Sequence, residues 1–486
     1  MDATRKRSAG LGPIRPDPDP LQLNKAWQVD HRLVTLPSGL RLVTIARPGT
    51  PTVAVRAYVR AGSRFDVEHH LQHSAGRALG LAHLTEHLLF QGTQSRSQQQ
   101  IFASIERLGG ALDAGTTKDY ATVSAVVPRH GLRAAMDVVA EVLNQPAFEE
   151  QDVWSEKLIV LEDIRTAAGR QGIIHDLFAE TLWHDHPFRH PVRGTLEALR
   201  GLAREDVLAF HRQRYVAGNM VLAVAGDIEH HELRRLAADS FSGLLAGPEQ
   251  PPVLVHEPAP RQPRTSHLSK DISQTHLLIG VPTVGMGHED RGALKVIERV
   301  LGMGGSARLY QRLREDARLS YSVRTVTAHY EDAGLFAVHT ACHPEKAARV
   351  RQVVLEVWER LRQQGISQKE LSAAQGNYAG TLARRFETNR ALAGIFGIEA
   401  LLHQVEPFQE ALRRIKAVHR GDVLRAVQTY LNPARSVTVS VGPHVSVLPP
   451  HREGWRPVGS TPAQPPSSPV SREKGIPSPV PGASGE

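Results

Sequence analysis

Apolar and polar positions alternate over Leu40 to Ile45 and again over Val53 to Val59, which predicts two strands, short enough in separation to pair antiparallel. A third strand, His276 to Val281, reads as their counterpart later in the chain. Apolar residues recur at helical spacing over Leu132 to Leu143, over Ala347 to Arg362, and over the shorter run Leu79 to Phe90. Strands and helices mix without a regular strand-helix-strand alternation. The pattern therefore predicts an α+β fold, an antiparallel sheet backed by helices, rather than a doubly wound parallel sheet.

The pattern also repeats. Glu197-Ala198-Leu199-Arg200, Asp206-Val207-Leu208, Tyr215 and the apolar run Met220 to Gly226 follow one another in the first half. Glu410-Ala411-Leu412-Arg413, Asp422-Val423-Leu424, Tyr430 and Ser436 to Gly442 follow in the same order in the second. An internal duplication predicts two homologous α/β-roll domains facing each other across a cleft. The boundaries read as a disordered N-terminal segment 1–26, a first domain 27–248, a Pro-rich linker 249–265, a second domain 266–445 and a Pro/Ser-rich tail 446–486.

Composition changes this picture little. The 486 residues are 41% hydrophobic and 22% charged, as expected of globular domains with sizeable cores. The net charge of +8 is spread among interleaved Asp and Glu, so a basic nucleic-acid-binding protein is a reading from charge alone, with no recognition motif behind it. Cys342 is the single cysteine, which excludes an internal disulfide framework. No apolar run approaches membrane-spanning length, and the basic Met1 to Arg7 has no apolar stretch behind it, so the expected compartment is the cytoplasm.

The chemistry concentrates in His83-Leu84-Thr85-Glu86-His87. On a helix, His83 and His87 project from one face one turn apart, a spacing that lets two imidazoles bind one Zn²⁺. Glu86 lies on the same side, where its carboxylate can take a proton from a zinc-bound water. This is the H-x-x-E-H order of inverzincins. A catalytic zinc needs a third protein ligand, expected from a separate helix, and Glu156 to Arg165 is helical in character and rich in carboxylates.

With that segment in place the chain resembles the pitrilysin-type metallopeptidases, the family of mitochondrial processing peptidase and insulin-degrading enzyme. The resemblance covers about residues 30–445. It implies a zinc ligand 76 residues after the second His, which is Asp163 here, seven after Glu156. The family has Glu at that position, so Asp163 and its neighbour Glu162 both stand as the third ligand, with Glu156 as an orienting residue. The family also has Asn, thought to help hold substrate, where Gly109 to Thr117 carries Asp113. In the second half, Gly304 to Leu309 leads to Arg314 and Tyr321, which match the pair through which the family's distal domain completes the active site.

Other polar residues carry structural expectations. His69, His70 and His73 read as a solvated loop before the motif helix, and His184, His186 and His190 as a structured loop. Lys118 and Asp119 read as surface residues, and Gly302 to Gly305 is not a phosphate-binding loop because no Gly-Lys-Ser/Thr follows. The expected activity is a zinc endopeptidase cleaving unfolded peptides, with Glu86 as base and Arg314 and Tyr321 assisting. The resemblance implies a homodimer or a heterodimer with a paralogous subunit. The alternative is a non-catalytic partner subunit of the same family.

Overall fold

A computed structural model describes residues 29–73, 78–167, 172–402 and 408–443. The segments expected to be disordered, 1–26 and 446–486, lie outside the described residues. The first sheet contains β1 (Asp30–Thr35), β2 (Arg41–Ala46), β3 (Thr52–Val59), β4 (Ala111–Thr116), β5 (Ala121–Pro128) and β6 (Met220–Gly226), in the order β1-β2-β6-β3-β5-β4. The second contains β7 (Arg264–Ser269), β8 (Thr275–Thr283), β9 (Ser320–His329), β10 (Gly334–Cys342) and β11 (Val437–Gly442), in the order β7-β11-β8-β10-β9.

Apart from the additional β1, the two sheets share one topology. β2 and β6 are parallel, as are β7 and β11, and every other neighbouring pair is antiparallel. The repeated strands Met220–Gly226 and Val437–Gly442 occupy equivalent positions. One expectation needs correcting. β2 and β3 are not partners, because β6 lies between them, parallel to β2 and antiparallel to β3. The fully buried β6 supplies apolar side chains to both faces of the sheet, which favours a central position over an edge.

Each sheet is covered on both faces. Val53, Val55, Ala57 and Val59 of β3 pack with Leu81, Leu84 and Leu88 of the motif helix and with Val138, Val139 and Val142. The opposite face, through Ala54, Tyr58, Val221 and Ala223, packs on Leu392, Ala393, Phe396 and Ala400 of the helix Asn389–Leu401, which belongs to the second half of the sequence. The reciprocal contact also forms. The helix Ile173–Leu182, from the first half, places Ile174, Leu177 and Phe178 on Leu278, Ala337, Val437 and Val439 of the second sheet. The halves are thus joined by an exchange of helices.

Arginines in or directly after strands of the covered sheets hold the C-terminal carbonyls of both exchanged helices. Arg41 Nη1 donates to Ala400 O at 2.9 Å and Arg60 Nη2 to Leu401 O at 2.7 Å. Arg264 Nη1 donates to Leu182 O at 2.9 Å and Thr181 O at 3.2 Å. A cation at the negative end of a helix dipole is favourable, and these bonds also satisfy carbonyls that the helix cannot.

The chain from 249 to 263 has no regular structure but is pinned along its length. Glu249 accepts from Arg60, Val253 N–H donates to Glu68, and Glu257 accepts from the backbone N–H groups of His184, Asp185 and His186. The β9–β10 turn reaches across to the first half. Arg60 Nη1 meets Glu331 at 2.6 Å, and the fully buried Arg64 bonds Asp332 and Asp119, each at 2.8 Å. Burial works against ionisation of Asp332, but His186 3.4 Å away and hydrogen bonds from Arg64 and the Val255 N–H outweigh it and hold the carboxyl well below its usual range. Lys118 and Asp119 are therefore not surface residues: Asp119 is buried against Arg64, and the Lys118 ammonium donates to the carbonyl of His190. Among the described residues no helix is long and apolar enough to cross a membrane.

Close approach of the helix Asn389–Leu401 depends on glycine. A Cβ on Gly397 would stand 2.3 Å from Cε2 of the buried Tyr58 ring, and Tyr58 Oη donates to Gly394 O at 3.0 Å. Helix propensity alone favours Ala over Gly by about 1 kcal/mol. Gly397→Ala is nevertheless expected to destabilise the protein by about 1–3 kcal/mol, as overpacking does. Urea unfolding measures this, and an increase in stability would show that the helix does not pack on Tyr58.

Candidate functional site

The motif helix Leu81–Leu88 buries Leu81, Ala82, Leu84, Thr85 and Leu88 and leaves His83, Glu86 and His87 together on its half-exposed side. The residue before it, Gly80, at φ 95°, has no side chain to cap the helix. Asp66 does so from a distance. Its carboxylate is completely buried and accepts from Gly80 N at 2.8 Å and Ala82 N at 2.9 Å. Burial pushes the Asp66 carboxyl up to about 7, against the pull of those two N–H groups. The loop before Thr195 closes on the same helix end. A Cβ on Gly194 would lie 2.2 Å from Leu79 O, and at φ 75° the position suits only glycine.

The two imidazoles lie edge to face with ring centroids 4.6 Å apart. Burial, reinforced by His87 and Arg193, pushes His83 down to about 3, so its ring is neutral and keeps a free lone pair. Its Nδ1 is buried without a hydrogen-bond partner among the described residues. His87 is held differently. Its Nδ1 bonds Glu156 Oε2 at 2.9 Å, and Gln91 Nε2 donates to the other oxygen of Glu156 at 2.6 Å. The bond to Glu156 raises the His87 pKa and orients Nε2 away from the carboxylate, the arrangement that prepares an imidazole for a metal.

Glu86 is raised by burial, while a hydrogen bond from Thr116 Oγ1 at 2.7 Å pulls the other way. Thr116 lies on β4, which has β5 on one side and no strand on the other among the described residues. Leu112 and Ala114 of β4 pack toward the motif-helix layer. Asp113 points to the opposite face, where Arg390 of the helix Asn389–Leu401 meets it at 2.5 Å.

Glu156 and Asp163 lie on one helix, Glu150–Ala167. Glu156 is buried, Asp163 is half-buried and near enough to His87 for its charge to favour the imidazolium, and Glu162 is 63% exposed with Arg165 3.6 Å away. Of the two candidate third ligands, Asp163 is the less exposed and lies within charge range of His87, whereas Glu162 faces solvent. Among the described residues no three His, Cys, Asp or Glu side chains are assembled as a ready ligand set. The donor chemistry nevertheless fits zinc: a neutral buried imidazole, a second one held through Nδ1 by a carboxylate, and a nearby third carboxylate.

Arg314 and Tyr321 come together in the second half. The Arg314 guanidinium sits 4.5 Å from the Tyr321 ring centroid and 5.0 Å from that of Tyr310, and Tyr321 is 76% exposed. His186 is completely buried, 3.4 Å from Asp332, within a structured loop. The segment of His69 to His73 is helical rather than a loop, forming the end of the helix Arg64–His73. Sequence reasoning missed Asp66, Thr116 and Arg390 as parts of the site. Thr116 lay within a recognised segment, but Asp66 and Arg390 carry no local signal, since their partners are 14 and 277 residues away.

Comparison with known proteins agrees with this arrangement. Residues 41–196 match the family model described as insulinase (peptidase family M16), and residues 201–378 match the one described as the peptidase M16 inactive domain. An uncharacterized zinc protease of Mycobacterium tuberculosis is 33% identical over 425 residues, covering 85% of this chain and 94% of that protein. One from Bacillus subtilis is 28% identical, covering 79% and 92%. Two solved structures share the fold. A peptidase M16 inactive domain from Pseudomonas fluorescens has a TM-score of 0.78 and 24% identity, covering 87% of this chain and 100% of that one. A protease from Helicobacter pylori has a TM-score of 0.78 and 23% identity, covering 85% and 100%. With two matched halves in the expected order and a relative one-third identical over most of its length, this chain belongs to the M16 (insulinase) family of peptidases.

Proposed function

We propose that this chain is a zinc-dependent endopeptidase acting on unfolded peptides. The observation that carries the reading is the half-exposed face of the motif helix, where His83, Glu86 and His87 stand together with Glu156 on His87 and Thr116 on Glu86. His83, His87 and Asp163 are the residues that would hold Zn²⁺, which when bound supplies Lewis acidity to a water and to the scissile carbonyl. Glu86 takes the proton of the attacking water and returns it to the leaving amine. Its raised pKa brings it nearer to working pH, and the Thr116 hydroxyl fixes which oxygen is free. Tyr321 and Arg314 donate to the oxyanion that develops during attack. The open edge of β4 beside Glu86 can receive an extended peptide as an additional strand. A homodimer or a heterodimer with a paralogous subunit would enclose that edge.

A second reading, a non-catalytic subunit of such an assembly, is favoured by Asp163. It is one methylene shorter than the Glu that the family resemblance implies at this position. The Pseudomonas fluorescens protein of the same fold is itself described as an inactive domain. Metal content and hydrolysis of a quenched unfolded peptide by the purified chain separate the two readings.

Glu86→Gln should retain zinc, measured by elemental analysis, and lower turnover at least 10²-fold, the scale of a lost general base. Wild-type turnover in this variant would rule out the mechanism. Asp163→Ala should lose zinc while Glu162→Ala keeps most of it, because Glu162 faces solvent beside Arg165. The reverse pattern would make Glu162 the ligand. Tyr321→Phe should lower kcat by roughly 10²–10³-fold at unchanged zinc content, as loss of an oxyanion donor does. Unaltered kinetics would show that Tyr321 of this chain does not serve the oxyanion, because the second half contributes structure there or a partner subunit supplies the pair.

A further inference from the structure

The edge strand β4 lies between the two functional layers. Thr116, on one face, bonds Glu86, while Asp113, on the other, faces the helix that the second half contributes. Asp113 and Arg390 are each about half exposed, at 51% and 52% of their side chains, so a solute can reach both. An ion pair that open to solvent contributes little to stability and can exchange partners readily. The two members are not equivalent. Asp113 is short and anchored on the edge strand, whereas Arg390 reaches it with a long side chain from a separate helix.

A peptide that adds to β4 places every second side chain on the Asp113 face. The residue opposite Asp113 would have its Cβ about 4.5–5.5 Å from that of Asp113, within reach of direct pairing. Asp113 and Thr116 are three residues apart along the strand, about 10 Å, so this residue lies about three positions from the peptide bond held beside Glu86.

We propose that the Asp113–Arg390 pair selects substrates by charge: peptides with Lys or Arg about three residues to one side of the scissile bond bind by displacing Arg390 from Asp113. The inference rests on the peptidase reading for its register. It also predicts binding in the absence of turnover, which keeps the two separable.

The test uses the full chain and a series of unfolded peptides with one Lys, Gln or Glu moved through the positions two to four residues on either side of the cleaved bond. In the wild type, kcat/KM for the Lys peptide at one of these positions should exceed that for the Glu peptide about tenfold, mainly through KM. Arg390→Ala, which removes the competing cation, should widen the ratio. Asp113→Asn should bring it within twofold of unity, and Asp113→Lys should invert it. The same ratios are read as dissociation constants by fluorescence anisotropy on Glu86→Gln. Hydrolysis with a charge ratio that Asp113→Asn and Asp113→Lys leave unchanged overturns the inference alone. A preference for Glu that Arg390→Ala abolishes also overturns it, by making Arg390 the recognising residue. No hydrolysis by the wild type, with Asp113-dependent binding of the Lys peptide retained, overturns the peptidase reading and supports the inference. Absence of both overturns both.

Discussion

The structure depends on a single packing constraint: both sheets are apolar on two faces, and neither half of the sequence covers both faces of its own sheet. β3 and β6 bury nearly every residue, so a bare second face would expose Val221, Ala223 and Tyr58 to water. The helices Asn389–Leu401 and Ile173–Leu182 cover these faces by crossing to the opposite sheet. Burial of a Leu or Phe side chain is worth about 1.5–3 kcal/mol, so each exchanged helix, with several such residues, ties the halves together far more strongly than a surface ion pair. The fold is therefore one unit in packing although two in sequence.

Polar contacts set the position that the apolar layers leave free. Arg64 is fully buried and divided between Asp119 of the first half and Asp332 of the β9–β10 turn. Removing one partner from such a buried group generally costs about 3–5 kcal/mol, because a charge is left without compensation. The network fixes how the halves meet more than it adds stability. Its neighbours extend to the site. Lys118 bonds the carbonyl of His190, Gly194 follows on the same loop, and that loop closes on Leu79 and Gly80 at the start of the motif helix. Arg193, on the same loop, pairs with Asp176 of the exchanged helix Ile173–Leu182 and lies close enough to His83 to disfavour its protonation. The second sheet and the candidate ligand are thereby linked through one short loop.

The site itself divides its labour by environment. His83 is neutral because it is buried, with His87 and Arg193 close by, His87 is more basic because Glu156 holds it, and Glu86 is raised by burial while Thr116 holds one oxygen. Three side chains on one helix face thus acquire three different proton affinities. Asp163 is the residue with the least margin. Zn–O bonds of about 2.0–2.2 Å leave little slack for a side chain one methylene short, so any metal held there requires the helix Glu150–Ala167 to approach the motif helix closely.

The sequence by itself determined what is local or repeated. The spacing of His83, Glu86 and His87 specified a shared helical face, because 3.6 residues per turn leaves no alternative. The duplicated pattern specified two homologous α+β halves, and the repeated strands Met220–Gly226 and Val437–Gly442 occupy equivalent positions in their sheets. The seven-residue interval from Glu156 to Asp163 specified one side of one helix, with Glu162 turned about 100° away. Tertiary structure alone decided the rest. That β6 separates β2 from β3 depends on a strand about 160 residues later in the chain, and apolar alternation does not name its partner. Lys118 and Asp119 look like surface residues until Arg64 and the carbonyl of His190 are brought to them. Asp66 caps a helix to which it does not belong, and Arg390 meets Asp113 across 277 residues of chain. Periodicity encodes which side chains share a face. Only the packing of two apolar faces per sheet decides which distant charges that face will meet.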